Sequence, residues 1–379
     1  MIYEQVNAPS ARRTITVATR ILMALKLDGP LLVGLSLVAI FGLIVLYSAS
    51  GQDMGKVVRA LLHLGLGTVA MLALAQVRPQ VLRRAAPWLY LVGMVMLLIV
   101  FARGEISKGA GRWLDVGIIR FQPSEIMKLA VPMLCAWYLQ ERPLPPSAAS
   151  IGIVAAIIFV PAALIIKQPD LGTAILIIMG GVIVVVMAGL PVWIMLCGVV
   201  SAVAGAWIGW SYLLRDYQRD RILTFIDPQN DPLGSGYHII QSQIAIGSGG
   251  VFGKGWMNGT QSQLDYLPER HTDFIFAVIG EEFGLLGLLI LVLLYLFVVA
   301  RAMYLTTQMQ DTFGRLVASS IAVTFFIYVL INTCMVSGLL PVVGVPLPLV
   351  SYGGTSMVTL LAGFGILMAL FSHRKLVGS

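Results

Sequence analysis

Charge is what this sequence has least of: Asp, Glu, Lys and Arg make up 11% of its 379 residues, against 58% hydrophobic, and the mean hydropathy is +0.89. Ordinary soluble domains carry about 25% charged residues, so the scarcity excludes a water-soluble globule, and with it a disordered chain or a coiled coil. Cysteine is scarce as well. Cys135, Cys197 and Cys334 each sit inside an apolar run, where a thiol behaves as a small buried hydrophobe, so no disulfide framework follows. No small-residue cleavage site follows the first apolar stretch, and no processed signal is expected.

What is abundant is apolar length. Runs of about 20 apolar residues bounded by charge, Pro or Gly can be drawn at 30–49, 57–75, 86–102, 123–140, 148–166, 170–188, 191–213, 273–300, 314–337 and 347–371. Lys167-Gln168-Pro169 divides what would otherwise be one run too long for a bilayer. The pattern predicts an all-α polytopic membrane protein with ten transmembrane helices. Residues 1–379 form a single domain: a cytoplasmic segment 1–29, a long extracytoplasmic loop 214–272 between helices seven and eight, and a cytoplasmic tail 372–379.

Basic residues orient it. Arg12, Arg13, Arg20 and Lys26, then Arg78, Arg83 and Arg84, then Arg142, Arg301 and Arg315, and finally Arg374 and Lys375 fall on one side, the cytoplasmic one by the positive-inside rule. The other side also carries cations: Arg103, Lys108, Arg112 and Arg120 before span four, and Arg215, Arg219, Arg221, Lys254 and Arg270 in the long loop. Either the rule does not govern long translocated loops, or these side chains receive an anionic lipid headgroup or a pyrophosphate.

The long loop has turn signals at Asp227-Pro228, Asp231-Pro232 and Gly234-Ser235-Gly236, while Phe225, Tyr237, Trp256, Tyr266 and Leu267 predict short helices lying on the bundle. Gly247-Ser248-Gly249-Gly250 and Gly253-Lys254-Gly255 resemble a phosphate cradle, but Ser248 and Gly255 break the P-loop pattern. A flexible hinge remains, or a run of amides facing a diphosphate. Asp265, Glu269, Arg270, His271 and Asp273 then crowd the start of an apolar helix, with Thr272 the expected N-cap and Asp273 in the first turn. Capping alone would explain one Asp. A cluster at the membrane lip fits a carboxylate that takes a proton from a substrate hydroxyl. No dedicated metal site is expected, and a Mg2+ ion would be held mainly by a substrate pyrophosphate.

Span four contains Glu125 and Lys128, three apart and able to pair on one face. Charges at this depth are functional by default, a structural ion pair being the alternative. Glu281 and Glu282 point about 100° apart, so one is expected to face the bundle, with Lys128 or Arg120 as partner. Pro341, Pro346 and Pro348 with Gly353-Gly354 predict a re-entrant or broken segment before the last helix.

Three motifs resemble those of the SEDS family, the shape, elongation, division and sporulation proteins. They are Gly111-Arg112-Trp113 with Arg120-Phe121-Gln122-Pro123-Ser124-Glu125 and Lys128; Leu267-Pro268-Glu269 with His271-Thr272-Asp273; and Pro348 through Gly354. The resemblance spans nearly the whole chain and is closer to the elongation branch than to the division branch. It implies a peptidoglycan glycosyltransferase that polymerises lipid II at the outer face of the bacterial inner membrane beside a class B penicillin-binding transpeptidase, with no nucleic-acid partner. By the same resemblance Asp273 falls on the essential acidic residue. Arg120, Lys128 and Asp265 fall on positions needed for activity, and Trp113 and Glu125 on others in the outer cavity; Asp265 departs mildly, since relatives often have Glu there. Arg112, Arg120 and Lys128, with Arg215 or Arg219, would meet the leaving pyrophosphate. A flippase for the same precursor and a scaffold without chemistry are the competing readings. The first predicts inverted repeats meeting at mid-membrane, and the second gives no reason for Asp273, Arg120 and Lys128 to converge.

Overall fold

The computed structural model describes residues 25–103, 114–115, 120–208, 219, 223–225, 227, 235–264, 266–267 and 269–372. Apart from a two-residue antiparallel pair, its regular elements are helices: α1 (Gly29–Ala49), α2 (Met54–Ala75), α3 (Pro79–Arg103), β1 (Leu114–Asp115), β2 (Arg120–Phe121), α4 (Pro123–Leu139), α5 (Ala148–Lys167), α6 (Leu171–Met187), α7 (Val192–Ile208), α8 (Ser235–Gly249), α9 (Thr260–Gln263), α10 (Ile275–Thr307), α11 (Thr312–Val336) and α12 (Gly354–Ser372). Seven described helices, α1, α2, α3, α5, α10, α11 and α12, are long and apolar enough to cross a membrane. The helices α4, α6 and α7 have 17 residues each, about 25 Å at 1.5 Å per residue.

Asp residues start several of these helices. Asp28, Asp53, Asp170 and Asp311 cap α1, α2, α6 and α11, each accepting a backbone N–H of the first turn. Helix ends differ from the apolar runs where backbone chemistry, not hydropathy, sets them. The helix α3 begins at Pro79, well before the apolar run at 86, with Arg83 and Arg84 exposed on its opening turns instead of in a loop. Proline suits a first helical position and polar side chains do not stop a helix. The last helix begins at Gly354, not at 347, because Pro348 forces the preceding residue out of helical geometry and Leu349 has φ +60°.

The bundle is tied at two levels where α1 meets α10. At one end Arg301 forks onto Asp28, Nε to Oδ1 at 2.9 Å and Nη2 to Oδ2 at 2.7 Å. At the other, the Ser48 hydroxyl donates to Glu282. An apolar core runs through Phe313, Phe325, Phe364 and Tyr295, whose hydroxyl donates to Pro348 O at 2.6 Å.

Within α10 the helix breaks at Gly284, where φ is +65° and ψ −161°. The glycine run between α8 and α9 fills the break. Leu285 N and Leu286 N donate to Gly250 O and Val251 O at 3.0 and 3.1 Å, while Lys254 N and Gly255 N donate to Glu281 O and Glu282 O at 3.0 and 2.9 Å. These amides therefore complete a helix; they neither face a diphosphate nor form a free hinge. Only glycine permits the fit, since a Cβ on Gly253 would lie 2.2 Å from Glu282 O.

Both neighbouring carboxylates are buried, which corrects the expectation that only one would be. The partner is also corrected. Glu281 does not bind Lys128 but accepts from Lys254 Nζ at 2.8 Å, Thr260 Oγ1 at 3.1 Å, Gln261 N at 2.9 Å and Ser262 N at 3.2 Å. A loop residue reaches it because the filled break brings Lys254 alongside.

Candidate active site at converging helix starts

Four helices begin around one cavity of about 1010 Å3, counted to its open mouth. Gln122, Glu125 and Lys128 come from the start of α4, Asp170 and Thr173 from that of α6, Thr272 and Asp273 from the approach to α10, and Tyr352 to Ser356 from the start of α12. Tyr328 of α11 and Gly344 to Pro346 close the side. Each helix start presents unsatisfied N–H groups and the positive end of its dipole, so the cavity favours negative charge, whether a carboxylate or a ligand oxyanion.

Lys128 is the cation at its floor. Its Nζ lies 2.7 Å from Glu125 Oε1, both side chains are almost wholly buried, and the ammonium stands 5.2 Å from the centre of the Tyr328 ring. The i, i+3 pairing expected from the sequence is thus present, with an aromatic face added. A second, narrow and mainly apolar pocket shares Glu125, Lys128 and Tyr328 with the first and continues between Leu129, Pro132, Ile321, Phe325 and Phe364.

Asp273 stands just outside its helix. Thr272 is not the N-cap: its hydroxyl donates to Glu269 O at 3.1 Å and Oε2 at 2.9 Å, and the cap residue is Phe274. The cause is local. Thr272 N and Phe274 N both donate to Glu269 O, at 3.1 and 3.3 Å, so the chain winds around that carbonyl before helical geometry begins. Asp273 is left at the lip, where a Cβ on Gly344 would lie 3.5 Å from its Oδ2. Beside it His271 carries a lowered pKa, chiefly through burial and then through Lys56, with Arg270 adding to this and Glu269 opposing it.

Asp273, Glu125 and Lys128 are therefore brought together. Arg120 is described as a β2 residue facing Asp115 in register. Arg112, Trp113, Asp265 and Arg215 lie outside the described residues. Sequence reasoning missed Asp170 and Tyr328. Asp170 accepts from Gln122 Nε2 at 2.8 Å and from Thr173 N at 3.2 Å. Its signal was present: an Asp directly after Lys167-Gln168-Pro169 and before an apolar run is a helix start. Tyr328 had no signal, since an apolar helix hides which face is turned inward. Among the described residues no cluster of three or more His, Cys, Asp or Glu is placed to hold a metal ion.

Fold and cavity together define a multi-helix membrane protein whose polar chemistry is gathered at one end of the bundle. The sequence profile of the FTSW_RODA_SPOVE family, described as cell cycle protein, matches residues 30–376. The chain belongs to this family, the SEDS proteins. It is 50% identical over 353 residues to peptidoglycan glycosyltransferase MrdB of Escherichia coli, covering 93% of this chain and 95% of that protein. It is 36% identical over 348 residues to a probable peptidoglycan glycosyltransferase FtsW of Trichlorobacter lovleyi, covering 89% and 91%. Among solved structures, a chain of a peptidoglycan synthase complex that coordinates polymerization and crosslinking superposes with TM-score 0.82 at 31% identity, covering 92% of this chain and 98% of that one. The rod shape determining protein RodA of Thermus thermophilus does so with TM-score 0.69 at 28% identity, covering 92% and 97%.

Proposed function

We propose that the chain is a peptidoglycan glycosyltransferase of cell elongation, polymerising lipid II into glycan strands at the outer face of the inner membrane. The observation that carries this reading is the convergence of Asp273, Lys128 and four helix starts on one cavity. Asp273 acts as general base on the GlcNAc 4-hydroxyl of the incoming lipid II. That oxygen attacks the anomeric carbon of the growing strand's reducing-end MurNAc with inversion, and undecaprenyl pyrophosphate leaves. The leaving charge is met by Lys128, by the helix starts and by Arg112 and Arg120, each stabilising charge that develops in the transition state. Glu125 holds Lys128 in place.

The same reading gives the chain one domain of ten spans, the seven long helices plus α4, α6 and α7, with both termini cytoplasmic and residues 214–272 outside. Its partner is a class B penicillin-binding transpeptidase, which crosslinks the strands made here. A Mg2+ ion would enter with the substrate pyrophosphate. A cavity whose polar lining gathers at one end of the bundle supports a polymerase over a flippase, whose site would lie near mid-membrane.

Glycan synthesis from purified lipid II tests the reading, with the transpeptidase present and its acyl-transfer site blocked. General-base catalysis contributes about 10² to 10⁴ in rate, so Asp273→Asn loses polymerisation by that factor while still folding and binding its partner. Full activity in that variant would remove Asp273 from the chemistry.

A further inference from the structure

Asn332, near the end of α11, is fully buried, and its amide nitrogen donates to two backbone carbonyls at once: Asp273 O at 2.9 Å and Val345 O at 2.8 Å. An amide nitrogen carries two protons, so both are used, one on each segment. One segment is the turn that carries Asp273. The other is the proline-rich stretch whose Gly344, at φ +70°, lies under the Asp273 carboxylate. A second bond between the same two stretches, Tyr352 N to His271 O at 2.9 Å, fixes their far ends.

We propose that Asn332 is the positioning residue of the catalytic carboxylate. Resting on the reading of Asp273 as general base, it assigns to α11 the task of holding that base in register with the cavity wall. Asp273 precedes the first residue of α10, and Asn332 ties its carbonyl to that of Val345 in the cavity wall through the two protons of one amide. Asn332 touches backbone atoms on both sides and acts through Asp273. A base displaced by about 1 Å loses about 10² in rate without any change in what the cavity binds.

The test measures kcat and KM for lipid II in the assay described above. The variants are Asn332→Leu, Asn332→Ser, Asp273→Asn and the double variant Asn332→Leu with Asp273→Asn, each checked for folding by thermal melting and by transpeptidase binding. Asn332→Leu, which keeps the branched shape and removes both donors, lowers kcat about 10²-fold with KM within about twofold of wild type. Asn332→Ser keeps one donor on a shorter arm and falls between, and it carries the readout if the Leu variant does not fold. Adding Asn332→Leu to Asp273→Asn removes nothing further from the residual rate. Wild-type kcat in Asn332→Leu, a loss expressed in KM, or an undiminished further loss in the double variant would overturn the proposal. Wild-type activity in Asp273→Asn would instead show that the base assignment itself had failed, leaving Asn332 nothing to position.

Discussion

Gly284 and Gly253 meet backbone to backbone: a Cβ on Gly284 would lie 2.3 Å from Gly253 N, and one on Gly253 would strike the carbonyl of Glu282. The neighbour in each case is main chain, which cannot swing away. Gly284 also occupies a conformation that only glycine enters without strain, a cost of about 1 to 3 kcal/mol for any other residue. Gly284→Ala and Gly253→Ala should therefore each lower the melting temperature in detergent, and limited proteolysis should cut earliest between α8 and α9. Undisturbed melting in both variants would show that the loop does not fill the break.

The Lys128 and Glu125 pair separates stability from chemistry. Removing one member of a buried ion pair leaves an uncompensated charge and costs about 3 to 5 kcal/mol, whereas removing both is far milder. Lys128→Met should be strongly destabilised, and Lys128→Met with Glu125→Gln should regain most of the stability. Polymerisation should remain low in the double variant, because the cation facing the cavity is still missing. Recovery of both properties together would make the pair purely structural.

Asp170 serves two purposes that different substitutions divide. Asn caps a helix about as well as Asp, while Ala loses about 1 kcal/mol. Asp170→Asn should thus melt like wild type yet polymerise several-fold more slowly, its charge having left the cavity; Asp170→Ala should lose both. Normal rates in Asp170→Asn would reduce the residue to a cap.

His271 gives a pH dependence with a defined sign. Burial and Lys56 hold its folded pKa below the unfolded value of about 6.5, so as the pH falls from about 7 through that value the unfolded chain binds more protons. Stability contributed by the neutral ring is present above that range and declines as the pH falls through it. Melting temperatures of His271→Gln should decline less over the same interval, and a parallel decline would place the acid sensitivity elsewhere.

The long helices could be read from apolar length alone, because a lipid-facing helix has few alternatives for its backbone polar groups. The Glu125 and Lys128 pair was legible for a related reason: three residues of spacing on one helix fixes a distance without reference to the rest of the fold. Contacts between distant segments left no such trace. Lys254 reaches Glu281 only because the glycine run fills the break at Gly284, and the sequence shows the glycines without the gap they occupy. The turn around Glu269 likewise displaced the start of α10 past Thr272, where local capping rules placed it. Of the residues lining the cavity, Asp273, Glu125 and Lys128 could be picked out from the sequence. The cavity's architecture of converging helix starts could not, because it is a property of tertiary packing.

The two ties between α1 and α10 have a mechanical consequence. Arg301 with Asp28 and Glu282 with Ser48 pin the long arm of α10 to its neighbour near both ends, as a beam is fixed at two supports. Such a beam can neither slide nor rotate as a rod. Gly284 lies within that pinned length, close to the upper support, while Ile275 to Ile279 and the Asp273 turn project beyond it like a short cantilever. Displacement of the Asp273 turn is therefore set by this short segment, which is held by α8, where His238 stacks on Phe274, by Asn332 of α11 and by the proline-rich wall, and not by the pinned arm.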